Sequence, residues 1–213
     1  MQKSLPSIVA LISGRGSNLG AILDYAKHTG TFNIAAVISN RPGAEGLQTA
    51  MAHGVQTEVL DHTQFDRRED FDAALKQRID NYSPDLVVLA GFMRVLTPGF
   101  VKSYEGRMVN IHPSLLPSFP GLKTHQQALD AGVRVHGATV HFVTAELDHG
   151  PIVDQTLVQV FEHDAAETLS TRVLALEHQI YPRAIDALLN KHIRLVQGRV
   201  QGALAAPLVH DIE

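Results

Sequence analysis

"ALISGRGSNLGAIL", Ala10 to Leu23, decides the fold. An apolar run ends at Ile12, a loop carries Gly14 and Gly16, and apolar residues resume at Leu19 with helical spacing. Strand, tight turn and helix in that order open a parallel α/β sheet. The glycines let the backbone turn sharply, and a helix N-terminus offers free N–H groups and a positive dipole end to an anion. Two readings follow: Gly16, Ser17 and Asn18 cradle a phosphate, or the turn is plain and Ser17 or Asn18 caps the helix. Spacing alone does not separate them. A dinucleotide site has little support, because the third glycine position is Leu19 and the second strand ends in Ser39, Asn40 and Arg41 without an acidic ribose ligand. No Gly-Lys-Ser/Thr follows, so the Walker pattern fails as well.

Working outward, apolar β-rich runs recur at Ile8 to Ile12, Ile34 to Ser39, Thr57 to Leu60, Leu86 to Ala90 and Met108 to Ile111, with helical patterns between them. This alternation predicts an α/β fold, a Rossmann-like, mostly parallel sheet flanked by helices. Asp66 and Glu69 predict a capping box opening a helix with the stripe Phe71, Leu75 and Ile79, and Pro84 is expected to start the next strand. After residue 113 the character changes to a proline-rich loop, a short helix around Thr124 to Ala131, and extended runs at Val135 to Val143 and Ile152 to Val160. Those runs predict an antiparallel extension. Asp164 and Glu167 are expected to open a long helix whose Leu169, Val173, Leu176 and Ile180 share a face, kinked at Pro182. From Lys191 the pattern is weak. With no repeat or linker, residues 1–213 are expected to be one domain, with an α/β front half of about 1–105 and a mixed back half of about 106–213.

Composition limits the function. With 45% hydrophobic and 19% charged residues the chain can build a core, and the apolar run Leu86 to Met93 is too short to span a bilayer. Gly14 and Arg15 interrupt the start before a signal-peptide core develops, so a cytoplasmic protein is expected. The absence of cysteine removes disulfides, thiolate metal sites and cysteine nucleophiles. A net charge of -4 argues against a nucleic-acid partner. The 12 histidines include His112, His125, His136 and His141, but none has His-Glu-x-x-His spacing, and no metal is expected. His136 and His141 read as pocket-lining, and Tyr104, Phe119 and Phe142 as packing groups.

"VNIHPSLLPSFPGLKTHQQAL", Val109 to Leu129, carries the chemistry. Asn110 and His112 alternate with Ile111 at a strand end, so both side chains face one side and can converge on one substrate oxygen. Pro113, Pro117 and Pro120 stiffen the loop that follows. Asp148 in "TAELDHGP" is a third candidate. An amide, an imidazole and a carboxylate suit acyl or one-carbon transfer, where an oxyanion is stabilised and a proton moves from attacking amine to leaving nitrogen. No Gly-x-Ser-x-Gly elbow supports covalent hydrolysis. Taken singly, each residue is also consistent with ordinary structure: a strand-end Asn, a packed His and a turn Asp before Gly150 and Pro151.

Together with "LISGRGSNL", "VISNRPGAEGLQTA", "PDLVVLAGFMRVLTP", "HGATVHFVTAELDHGPIV" and "EHQIYPRAI", these motifs resemble the phosphoribosylglycinamide formyltransferases over most of the chain. The resemblance implies the formyltransferase fold and transfer of formyl from the co-substrate 10-formyltetrahydrofolate to the amine of glycinamide ribonucleotide in purine biosynthesis, without metal. By that resemblance Asn110 and His112 stabilise the oxyanion, and Asp148 orients the imidazolium and assists proton transfer through water. Gly16, Ser17 and Asn18 match a phosphate loop, and Glu177 a carboxylate that hydrogen-bonds the ribose. Arg68 matches a basic contact to substrate or folate. Met93, Arg94, Val95 and Leu96 match the pterin-holding segment, joined by Thr144, Ala145, Glu146, Leu147 and Asp148. Leu174 stands where relatives can carry a polar residue, which implies one ribose contact fewer here, and His149 is a variable neighbour of Asp148. Methionyl-transfer-RNA formyltransferase has a C-terminal basic domain and formyltetrahydrofolate hydrolase an N-terminal regulatory one, and neither addition is expected here. Sugar-amine formyltransferases are a more distant alternative. A formyltetrahydrofolate hydrolase and a catalytically silent folate or nucleotide binder remain the competing functions, and the protein is expected to be a monomer or homodimer. The loops Pro113 to Gly121 and Thr144 to Gly150 are expected to order on folate binding.

Overall fold

Strand β1 (Ser7–Ile12) is the centre from which the fold is built: every residue from Ile8 to Ile12 is wholly buried. A strand buried on both faces reads as a continuous apolar run, which is why this segment lacks alternation. The computed structural model describes residues 4–202. Contacts divide the chain into two compact units, meeting between Asn110 and Ile111.

In the first unit β1 pairs in parallel with β2 (Asn33–Ser39) on one side and β4 (Leu86–Leu89) on the other. Strand β3 (Thr57–Val59) extends the sheet beyond β2, and β5 (Met108–His112) beyond β4. Chain order therefore reverses between β1 and β4, the topological switch point at whose carboxyl edge such sheets bind ligands. Crossovers are made by α1 (Ser17–Thr29), α2 (Gly46–Ala52), α3 (Arg68–Asp80) and α4 (Pro98–Ser103). Helix α1 buries Leu19, Ile22, Leu23 and Ala26, one stripe at helical spacing, and stops at Gly30, whose left-handed conformation lets its N–H reach the Ala26 carbonyl. Each fully buried Leu or Ile contributes about 1.5–3 kcal/mol.

In the second unit β6 (Val135–Phe142) and β7 (Ile152–Gln159) form an antiparallel pair. Helix α5 (Thr124–Asp130) precedes them and α6 (Ala166–Leu189) follows. The strands join in one seven-stranded, mostly parallel sheet, ordered β3-β2-β1-β4-β5-β6-β7. A separate hairpin, β8 (Ile193–Val196) and β9 (Arg199–Gly202), closes the described chain.

Four local expectations are corrected. Helix α3 starts at Arg68 with Arg67 as its N-cap and no side-chain cap, leaving Asp66 outside the first turn, so Asp66 and Glu69 make no capping box. Pro84 lies before β4 rather than in it: pairing with β1 begins at Leu86, after Asp85 donates its N–H to the Ser7 carbonyl. At α6 the N-cap is Ala165, whose N–H donates to the Thr168 hydroxyl, while Asp164 accepts from the Phe161 N–H and from Arg172. Asp164 and Glu167 are thus one residue out of register for a box. At α1 the N-cap is Gly16, not Ser17 or Asn18. The hairpin β8–β9 is additional to the sequence reading; Gln197 and Gly198, both at positive φ, form its two-residue turn.

Candidate active site

The β1–α1 loop lies at the switch point of the first unit. Gly16 sits at φ 73, and a Cβ there would come within 2.9 Å of the Gly46 Cα. Both the conformation and the close approach demand glycine. Gly46 donates its N–H to the Gly14 carbonyl at 3.1 Å, pinning the loop to the start of α2. Ser17 and Asn18 form the first turn of α1, with no acidic side chain beside them, so the turn keeps its positive dipole end.

Beyond β4 the segment Met93 to Leu96 is held at both ends. The Met93 N–H donates to the Ser13 hydroxyl at 2.8 Å, and Ser13 donates to the Asn40 side-chain oxygen at 2.6 Å. The Thr97 N–H donates to the buried carboxylate of Asp72 at 2.7 Å. Between these anchors Met93 and Val95 are 64% and 52% exposed, apolar surface presented outward from a fixed backbone. The Arg94 guanidinium lies over the Phe71 ring at 4.5 Å. Arg68 is exposed at the first position of α3.

Strand β5 ends in Asn110, Ile111 and His112. His112 is buried; its Nε2 donates to the Phe119 carbonyl at 3.0 Å, and its Nδ1 faces Asp148 Oδ2 at 3.6 Å. Both ring nitrogens thus face oxygen atoms. Asp148 has φ 55, a conformation Asp tolerates better than most residues, and its side chain is 7% exposed. Its Oδ2 accepts from the Gly121 N–H at 2.9 Å. Immediately beyond, Gly150 lies so close to the Phe142 carbonyl that no side chain fits. His141 approaches the other carboxylate oxygen at 4.0 Å, while its Nδ1 donates to the Phe142 carbonyl at 3.0 Å. Burial holds the His141 ring below the usual imidazole range despite that bond and the Asp148 charge. His125 and His136 pack edge to face with centroids 5.2 Å apart, both held neutral by burial, which pushes His136 down to about 4.

The two sequence-predicted residues His112 and Asp148 are therefore brought together, and Asn110 shares the strand and face of His112. Thr144 donates to the Glu146 carbonyl, and Ala145, Glu146 and Leu147 are exposed on the loop ending at Asp148, Leu147 by 59%. His149 is turned toward the Leu147 carbonyl and the Glu146 carboxylate. Glu177 is buried on α6, one turn after the half-buried Leu174. Tyr104 and Phe142 are buried packing groups, and Phe119 stands edge-on to His136. Ser13, Asn40, Asp72 and the contact of His141 with Asp148 were missed. The available signal for His141 was its even spacing from Thr139 and Gly137 on a buried strand. Among the described residues no group of three or more His, Asp or Glu could hold a metal, and no helix is long and apolar enough to cross a membrane.

A parallel sheet with a glycine loop at its switch point places the chain among the open α/β proteins. The chain belongs to the formyl transferase family, which matches residues 7–185. It is 52% identical over 183 residues to the phosphoribosylglycinamide formyltransferase of Escherichia coli (strain K12), covering 84% of this chain and 85% of that one. It is 46% identical over 187 residues to the trifunctional purine biosynthetic protein adenosine-3 of Gallus gallus, covering 87% of this chain and 19% of that longer protein. The solved structure of the phosphoribosylglycinamide formyltransferase of Coxiella burnetii, in complex with CHES, superposes with a TM-score of 0.89 at 46% identity, over 92% of this chain and 93% of that one. The family resemblance read from the motifs is borne out.

Proposed function

We propose that this chain is a phosphoribosylglycinamide formyltransferase, moving formyl from 10-formyltetrahydrofolate to the amine of glycinamide ribonucleotide. The observation that carries it is His112 facing Asp148 at 3.6 Å on the strand of Asn110, in a chain 52% identical to the Escherichia coli enzyme of that name. In the reaction the substrate amine attacks the formyl carbon, forming a C–N bond and placing negative charge on the formyl oxygen. Asn110 donates from its amide and His112 from its ring to that oxyanion. A proton leaves the attacking nitrogen and one arrives at N10 of the folate as the original C–N bond breaks. Asp148, hydrogen-bonded to Gly121, steadies the His112 cation and passes the proton by way of water. No covalent enzyme intermediate is needed.

Gly16, Ser17 and Asn18 would hold the phosphate at the helix dipole, and Glu177 the ribose. The pterin would lie along Met93 to Leu96 and Thr144 to Asp148, with Arg68 a basic contact to substrate or folate. Residues 1–213 would act as one cytoplasmic domain, monomeric or dimeric, with two small-molecule partners, no nucleic acid and no metal requirement. The test is folate product formation followed by absorbance with and without the ribonucleotide. Formation that depends on the ribonucleotide supports the transferase; product without it indicates a hydrolase, and no turnover a binding protein.

A further inference from the structure

We infer that Thr139 and Gln155 are positioning residues for formyl transfer, clamping the one loop that orients both His112 and Asp148. This rests on the proposed reading of the site. Thr139 and Gln155 lie opposite each other in the β6–β7 register, and Thr139 is wholly buried. The Thr139 hydroxyl donates to the Ser114 carbonyl at 2.7 Å and accepts from the Leu116 N–H and from Gln155 Nε2, each at 3.0 Å. One donor and two acceptor sites are all a hydroxyl has, so its capacity is spent. Gln155 Nε2 also donates to the Leu116 carbonyl at 2.9 Å. Three backbone groups of the loop are thereby fixed to two side chains of a paired hairpin.

What the same loop does next gives the clamp its consequence. Ser114 donates across the loop to the Ser118 carbonyl at 2.6 Å. Phe119 then offers its carbonyl to His112 Nε2, and Gly121 its N–H to Asp148 Oδ2. The loop therefore sets which way the imidazole turns and where the carboxylate stands. Thr139 and Gln155 reach the reacting groups only through this backbone. Losing the hydroxyl would strand a buried carbonyl and a buried N–H, and the loop would move to satisfy them. Displacements of about 1 Å in such positioning elements cost up to ~100-fold in rate.

The test uses the full chain with Thr139→Val, Thr139→Ser and Gln155→Met, measuring kcat, KM for each substrate, the pH profile of kcat and the thermal midpoint. Thr139→Val and Gln155→Met should each lower kcat by ~10- to 100-fold with KM for the ribonucleotide nearly unchanged, and should displace the pH profile. Thr139→Ser, which keeps the hydroxyl, should recover most of the rate. Folded Thr139→Val and Gln155→Met proteins with wild-type kcat and pH profile would overturn the inference; if Thr139→Val does not fold, Gln155→Met decides. Absence of turnover in the wild type would defeat the functional reading instead. The clamp would then be judged by amide exchange at Leu116 and Gly121, faster in Gln155→Met if it exists and unchanged if it does not.

Discussion

At His112 one ring nitrogen meets a carbonyl and the other faces a carboxylate, and at Asp148 a left-handed backbone turns that carboxylate inward. Geometry of this kind serves proton transfer only while all partners are present. Asn110→Ala, His112→Ala and Asp148→Ala should each lower kcat by at least ~100-fold with little change in folding, the scale of a lost oxyanion donor or proton-transfer group. Steady-state kinetics alongside urea unfolding would check this, and near-normal turnover in all three would remove the mechanism. Gly16→Ala should destabilise by ~1–2 kcal/mol, because φ is 73 and the new methyl would meet Gly46. It should also raise KM for the ribonucleotide more than for the folate. Asn110 and His112 were legible because strand alternation is a period-two rule that needs no tertiary information. The approach of His141 to Asp148 was not, since the residues lie on different segments and only the fold sets their distance.

Among the elements, the strands were the most legible and the helix starts the least. The apolar runs of β1, β2, β4 and β5 announce themselves by composition, whereas a cap depends on one residue of register: Asp66 lies one position before the N-cap of α3, and Thr168, not Glu167, completes the first turn of α6. The turn of β8–β9 was hidden because Gln197 is an unusual choice for positive φ. Strand β6 carries His136, wholly buried and held near a pKa of about 4, against 6.5 ordinarily. Above about pH 6.5 the ring is neutral in both folded and unfolded chains. Between 6.5 and about 4 the unfolded chain takes up a proton that the folded one refuses, so stability falls as pH falls. The slope is up to about 1.4 kcal/mol per pH unit for this ring. Urea unfolding across that range should show the loss, and His136→Gln should flatten it; an identical slope in the variant would assign the loss to other groups.

For the molecule as a whole, strand order places the glycine loop and the Met93 segment at the switch point of the sheet, where α/β folds bind their ligands. That order could not be read from a list of strands, since alternation fixes that a sheet is parallel and not which strands are neighbours. The loops differ in how they are held. Residues 114–121 are tied by several side-chain bonds, whereas Ala145, Glu146 and Leu147 are exposed. A folate analogue should therefore slow amide exchange in residues 144–150 more than in 114–121; unchanged exchange in residues 144–150 would contradict a folate site on that loop. The most direct test of the central claim follows an isotopically labelled formyl group from 10-formyltetrahydrofolate in wild type and in Asp148→Ala. Label should appear on the amine of glycinamide ribonucleotide with the wild type and at least ~100-fold more slowly with the variant. Label released as formate, or transferred equally fast by both proteins, would contradict direct transfer at this site.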